Sequence, residues 1–270
     1  MDKQSNQDLK HLQSVLLNMM KEIDRLCRKN NITYYLSGGN ALGAIRHNGF
    51  IPWDDDFDIM MKSEDYKKFL SVCRKELDPD VWYVQEGGKE WPDCFSKLRL
   101  KNTRIEEIGE WSGISKENRG IFIDIFEIVN SPSSKILKML QYMGAKLLIS
   151  FSMLNMGYTT DSFIKKLAIS CSKIMRNRPI AKLVKKSVFK YNDKATKEYG
   201  NFFGTSRFHN AFYDKEVFDT PFYHSFEDIE LPLPSKYDIY LTQCFGNYME
   251  LPPADKQKPA HSIHVDFGKY

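Results

Sequence analysis

Residues 34–61, YYLSGGNALGAIRHNGFIPWDDDFDIMM, hold two adjacent glycines and four aspartates, Asp54, Asp55, Asp56 and Asp58, beside Trp53, Phe57 and Ile59. Along a strand, side chains two apart share a face, so Asp56 and Asp58 point one way while Phe57 and Ile59 turn into a core. The turn after Pro52 leaves the direction of Asp54 open, and Asp55 is expected to face away. Carboxylates crowded onto one face raise each other's pKa and oppose folding unless a cation sits between them. The pattern calls for a hard divalent ion, Mg²⁺ or Mn²⁺, which takes carboxylate oxygens and completes its shell with water and substrate phosphates.

Two further features belong with those acids. Ser37-Gly38-Gly39 stands between a predicted strand and a short helix, where glycine lets backbone N–H groups approach an anion and the helix N-terminus adds partial positive charge. That is the composition of a phosphate cradle. Asp124 lies inside the apolar run GIFIDIFEI, where an acid without a partner would be costly, so it either meets the metal or serves as a general base beside it.

These residues need a scaffold, and the surrounding sequence supplies one. Leu9, Leu12, Val15, Leu16, Met19, Ile23 and Leu26 recur at helical steps and predict an amphipathic helix ending near Asn30-Asn31. ITYYL reads as a strand stopped by the glycines, NALGAIRH as a short helix, DFDIMM as the next strand, and Ser63 as the start of the helix EDYKKFLSVCRKEL. Further strands are expected at VWYVQ, FSKLRLKN, TRIEEI and GIFIDIFEIV. The expected fold is α+β: a mixed sheet with flanking helices over residues 1–130, a helical, basic subdomain over 131–199, and a C-terminal part, 200–270, closing over the first. The last part, with FFGTS, IELPLPS, the helix-like KYDIYLTQCFG and YMELPPADKQKPAHSIH, reads as short strands and loops.

Composition narrows the setting. At 270 residues, 42% hydrophobic and 27% charged, the chain is long enough for a substantial core and is not of disordered type. The opening MDKQSNQDLK lacks the basic start and apolar run of a signal peptide, so a cytoplasmic protein is expected. Five scattered cysteines with no CxxC pair suggest neither a disulfide framework nor a thiolate zinc site. The net charge is +4, yet residues 165–197 hold eleven Lys or Arg against the single acid Asp193. Such a block is either a solvated face or a surface that attracts phosphates. Residues 136–156 are rich in Met and Leu but carry Lys138, Gln141, Lys146 and Asn155, which suits core helices or an interfacial helix and not a spanning one.

GGNALGAIRHNGFIPWDDDFDIMM, FSKLR, GIFIDIF and YMELPPADKQKPAH, in that order and spacing, resemble the signature of LicD-type phosphotransferases, relatives of the fukutin-related protein. The resemblance implies a nucleotidyltransferase-like fold and transfer of a phospho-alcohol, such as phosphocholine, phosphoribitol or phosphoglycerol, from a CDP-alcohol to a sugar hydroxyl. The acceptor implied is a cell-surface glycan or teichoic acid precursor, often lipid-linked, with no nucleic-acid partner; for such an acceptor, the basic block and residues 136–156 are a candidate peripheral contact with the inner membrane face. Carried over residue by residue, Asp54, Asp56 and Asp58 match the family's metal-binding aspartates and Asp124 the acid of its strand motif. The chain departs from the pattern at Glu127, where the family usually has Pro, and at Gln257, where it usually has Arg. His261 and His264 also match family members and are candidates for phosphate or acceptor binding. Arg46, Lys97 and Arg99 are the nearest cations to the motifs, and Lys97 and Arg46 are the expected diphosphate contacts, because phosphoryl transfer rests on positioning and charge neutralisation. The same carboxylates would serve a nucleotidylyltransferase releasing pyrophosphate, and a silent binding subunit of a glycan-assembly complex is the remaining alternative.

Overall fold

The apolar stripe of the N-terminal segment becomes α1 (Lys3–Lys29) in a computed structural model that describes residues 3–86, 95–107, 119–155, 157–204, 206–259 and 262–270. Leu12, Leu16, Met20, Ile23 and Leu26 are buried along one face. The helix ends where Asn31 takes a left-handed φ of 49° and Ile32 N–H reaches back to the Cys27 carbonyl, a conformation that asparagine tolerates better than most residues. β1 (Tyr35–Leu36), α2 (Gly38–His47), β2 (Asp58–Lys62) and α3 (Ser63–Glu76) follow, then β3 (Trp82–Gln85), β4 (Phe95–Leu100), β5 (Arg104–Glu107) and β6 (Phe122–Ser131).

Five of these strands form a mixed sheet in the order β1-β2-β6-β4-β3, with β2 and β6 parallel and the other pairs antiparallel. Ile59, Ile123, Ile125 and Leu98 are fully buried in it. Burying a side chain of that size contributes about 1.5–3 kcal/mol. β1 is shorter than ITYYL suggests, because only Tyr35 and Leu36 find partners, Met60 and Ile59, before Ser37 leads into α2. The helix takes in both glycines, two residues earlier than its composition alone indicated. Conversely, pairing on β2 starts only at Asp58, so Asp54–Phe57 approach the sheet as an extended loop. Ser63 does open α3, but its hydroxyl donates to Glu127 and does not cap the helix.

α4 (Lys135–Asn155), α5 (Phe163–Ser172) and α6 (Arg178–Phe189) form the expected helical region, with a core of its own that includes Ala145, Leu148, Met175 and Val188. It is framed by the same sheet, since the far end of β6 pairs with β7 (Glu198–Gly200), and β7 with β8 (Phe212–Asp214). The described part of FFGTS is irregular, and just before it Asn201 N–H bonds the Ala211 carbonyl. β9 (Phe222–Phe226) and β10 (Ile229–Leu233) make a hairpin, α7 (Tyr237–Phe245) matches the expected helix, and β11 (Ser262–Asp266) pairs with β5. The four cysteines among the described residues are free. No helix among the described residues is long and apolar enough to cross a membrane.

Candidate active site

Three neighbouring strands set Lys97, Asp124 and Asp58 in a row. Asp58 faces Asp124 across the parallel β2–β6 ladder, and Lys97 faces Asp124 across the antiparallel β4–β6 ladder. Residues in register project to the same side of the sheet. Lys97 Nζ lies 3.2 Å from Asp124 Oδ1 and 3.2 Å from the centre of the Phe122 ring, nearly buried. In so dry a place its charge needs that carboxylate, and the carboxylate needs it. Asp58 has no cation so near. Burial first, then the charges of Asp56, Asp124 and Asp54, push its carboxyl well above the usual range, with Lys97 acting in the opposite direction.

Along the loop that enters β2, exposure alternates. Asp54, Asp56 and Asp58 are partly exposed, whereas Asp55, Phe57 and Ile59 are buried. Asp55 does turn away from the other three, but into the protein, where it is 2% exposed, and not into solvent. Asn40 of α2 fixes the start of the strand by accepting the Asp58 N–H at 2.6 Å.

Asp54, Asp56, Asp58 and Asp124 line one cleft of about 830 Å³, together with Ser37, Gly38 and Gly39. That volume lies in the range of small-molecule sites. Gly38 has φ +51°, and its N–H donates to the Tyr240 hydroxyl at 3.0 Å, with Ser37 Oγ 3.3 Å from the same oxygen. The first amide of the expected phosphate cradle is therefore engaged within the protein. A Cβ on Gly39 would stand 2.8 Å from Asp54 Oδ2, so a larger residue there would collide with the acidic loop. The glycines thus allow α2 and the aspartates to face each other closely.

The four acids share the cleft without closing a cage: among the described residues, no three His, Cys, Asp or Glu side chains form a metal-binding group by themselves. Mg²⁺ does not require one, because it is commonly held by one or two carboxylates with water and substrate phosphates filling the rest. The adjacent Asp58 and Asp124, crowded by Asp56 and Asp54, fit that donor set.

Another part of the lining was not anticipated. It comes from residues 201–210 and from α7, and it brings Arg207, His209, Asn210 and Tyr240 to the cleft. Arg207 and His209 are exposed, and the Oδ1 of Asn210 is buried with no hydrogen-bond partner among the described residues. α4 holds this segment. Tyr142 donates to the Ser206 carbonyl at 2.9 Å, Lys146 donates to the Phe202 and Gly204 carbonyls at 2.9 Å each, and Phe208 stacks edge-on against Tyr142.

Several expected contacts go elsewhere. Arg46, at the end of α2, donates to the Tyr248 and Glu250 carbonyls at 2.9 and 3.1 Å and does not line the cleft. It holds a C-terminal turn, where burial lowers its pKa. Lys97 lies beside Asp124 as its counter-charge and does not line the cleft either. Arg99 is buried against Gln85 and the Gly120 carbonyl. His264 is exposed on β11, opposite Glu106, and is not part of the cleft wall. His261 lies outside the described residues.

Comparison with known proteins bears on this geometry. Residues 31–145 match the family model described as LicD/FKTN/FKRP, nucleotidyltransferase domain. The chain is 28% identical over 263 residues to the lipopolysaccharide cholinephosphotransferase LicD of Haemophilus influenzae, covering 94% of this chain and 96% of that protein. A shorter stretch of 106 residues is 50% identical to an uncharacterized protein of Rickettsia prowazekii, covering 32% of this chain and 39% of that one.

Proposed function

Since this chain belongs to the LicD family, we propose that it is a phosphotransferase moving phosphocholine, or a similar phospho-alcohol, from a CDP-alcohol to a sugar hydroxyl of a lipopolysaccharide-type glycan. The observation that carries the reading is the register of Asp58 with Asp124 on parallel strands, opening into a cleft that Arg207 also lines. Such a cleft suits a diphosphate, with acids for a metal on one wall and a cation on the other. The nucleotidyltransferase-like fold implied by the matched domain agrees with this use of the sheet.

In the reaction the acceptor hydroxyl oxygen bonds to the phosphorus that carries the alcohol. The bond from that phosphorus to the bridging anhydride oxygen breaks, and CMP leaves with that oxygen. Asp58 and Asp124, with Asp56 and Asp54 beside them, would hold Mg²⁺. That ion neutralises charge on the diphosphate and on the departing CMP. Arg207 and His209 orient the donor phosphates from the other wall. Lys97 compensates the charge of Asp124, which makes that residue better suited to the metal than to the proton. Asp56, on the loop and partly exposed, is then the carboxylate placed to take the hydroxyl proton.

A second reading is transfer of a nucleotidyl group from a nucleoside triphosphate, favoured by the description of the matched domain. Incubating the protein with CDP-choline, CDP-ribitol and CDP-glycerol, each with a glycan acceptor and Mg²⁺, separates the two. CMP from one donor, abolished by a chelator, supports the proposal; CMP from none of them rejects it.

A further inference from the structure

The helical region carries a surface that the transfer reaction does not use. On α5, Phe163 and Ile164 are each 77% exposed, and Leu167 follows one turn later on the same side. On α4, Ile136, Leu140 and Met143 are exposed at i, i+4 and i+7. The other side of α4 is also committed to packing, with Gly144, Ala145 and Leu148 buried and Gly144 close against Val184 and Ser187 of α6. The helix is thus apolar on two sides, one of them covered by its neighbours and the other open.

The charge around these stripes selects what covers them. Residues 165–197 hold eleven Lys or Arg against Asp193 alone, and Lys165, Lys166, Lys173 and Lys182 are all exposed. A second copy of the chain would bring like charges together. A bilayer with anionic headgroups meets both features at once, taking the apolar side chains into its headgroup and acyl boundary and the lysines against its phosphates.

We infer that α4, α5 and α6 form a docking surface for an anionic phospholipid membrane, on which the protein lies without crossing. The inner side of α4 grips the cleft wall through Tyr142 and Lys146. Docking therefore holds the cleft at a set distance from the lipid surface. Its value for a lipid-linked acceptor rests on the proposed transfer reaction, but the docking itself does not.

Co-sedimentation of the whole chain with phosphatidylcholine vesicles containing phosphatidylglycerol, against pure phosphatidylcholine, tests it. The wild type should partition onto the anionic vesicles and be released by salt. Phe163→Glu with Ile164→Glu, and separately Lys165→Glu with Lys166→Glu and Lys182→Glu, should each weaken partitioning about tenfold or more. Both variants should keep the wild-type melting curve and CMP release from the donor with a soluble acceptor, since every changed side chain is exposed. Equal partitioning onto neutral and anionic vesicles, or none onto either, overturns the inference. So does a stable dimer in light scattering that Phe163→Glu with Ile164→Glu dissolves.

Discussion

The sheet sets Asp58 and Asp124 by hydrogen-bonded register, whereas a second wall of the same cleft hangs Arg207 and His209 on an irregular segment tied to α4 by two side chains. A ladder leaves its side chains little freedom of position. A segment without a ladder, tied to α4 by Tyr142 and Lys146, leaves its cations more freedom. The first wall is suited to fixing charge that must not move, and the second to gripping a ligand that enters and leaves.

The largest effect should come from the rigid wall. Asp58→Asn or Asp124→Asn removes a charge that the metal and the transferred phosphoryl group need, and CMP release in a steady-state assay should fall about a thousandfold or more. The melting temperature of Asp58→Asn should not fall, because burial and three neighbouring acids already oppose its charged form. A large loss of stability in Asp58→Asn would mean that the row is structural.

On the second wall, Arg207→Ala should reduce kcat/KM about ten- to a hundredfold, chiefly through KM, because it removes a charge-assisted contact to the donor and leaves the carboxylates in place. A fall in kcat alone would move Arg207 to the reacting group. Loosening the segment without touching its cations gives a smaller effect. Tyr142→Phe and Lys146→Met should each cost about tenfold or less in kcat/KM, from misplacement of Arg207 and His209, and hydrogen exchange should rise at residues 202–208.

The smallest effect lies behind the sheet wall. Burial raises the Glu127 carboxyl above its ordinary value, against the bonds from Ser63 and Asn192. The folded chain thus keeps a proton there that the unfolded chain has released, so this residue's contribution weakens as pH rises through that interval. Glu127→Gln cannot ionise and can still accept both bonds. Its melting temperature relative to wild type should climb as pH rises above the ordinary carboxylate range, and a difference that is flat or falling with pH would contradict the assignment.

The rigid wall was legible in the sequence because its information is local. Alternation in DDDFDI marks which acids share a face, and the glycines and the apolar run around Asp124 mark the elements beside them. Where the cations point was not legible, because nearness along the chain says nothing about long side chains. Arg46 turns to carbonyls some 200 residues away, and Lys97 pairs with Asp124. Arg207, His209 and Tyr240 were missed for the complementary reason: GTSRFHN and KYDIYLTQCFG have no spacing of their own, and only the packing of α4 and α7 brings them to the cleft. The helical region was legible as helical and basic. That its apolar residues divide between a covered and an open side followed only from packing.

Phosphorus NMR of the wild type with Mg²⁺, CDP-choline and a glycan acceptor, run beside Asp58→Asn and beside a sample given CTP, tests the central claim most directly. CMP and a new phosphodiester should appear together in the wild type, with neither in Asp58→Asn and no pyrophosphate from CTP. Pyrophosphate from CTP, with no CMP from any CDP-alcohol, would contradict the account.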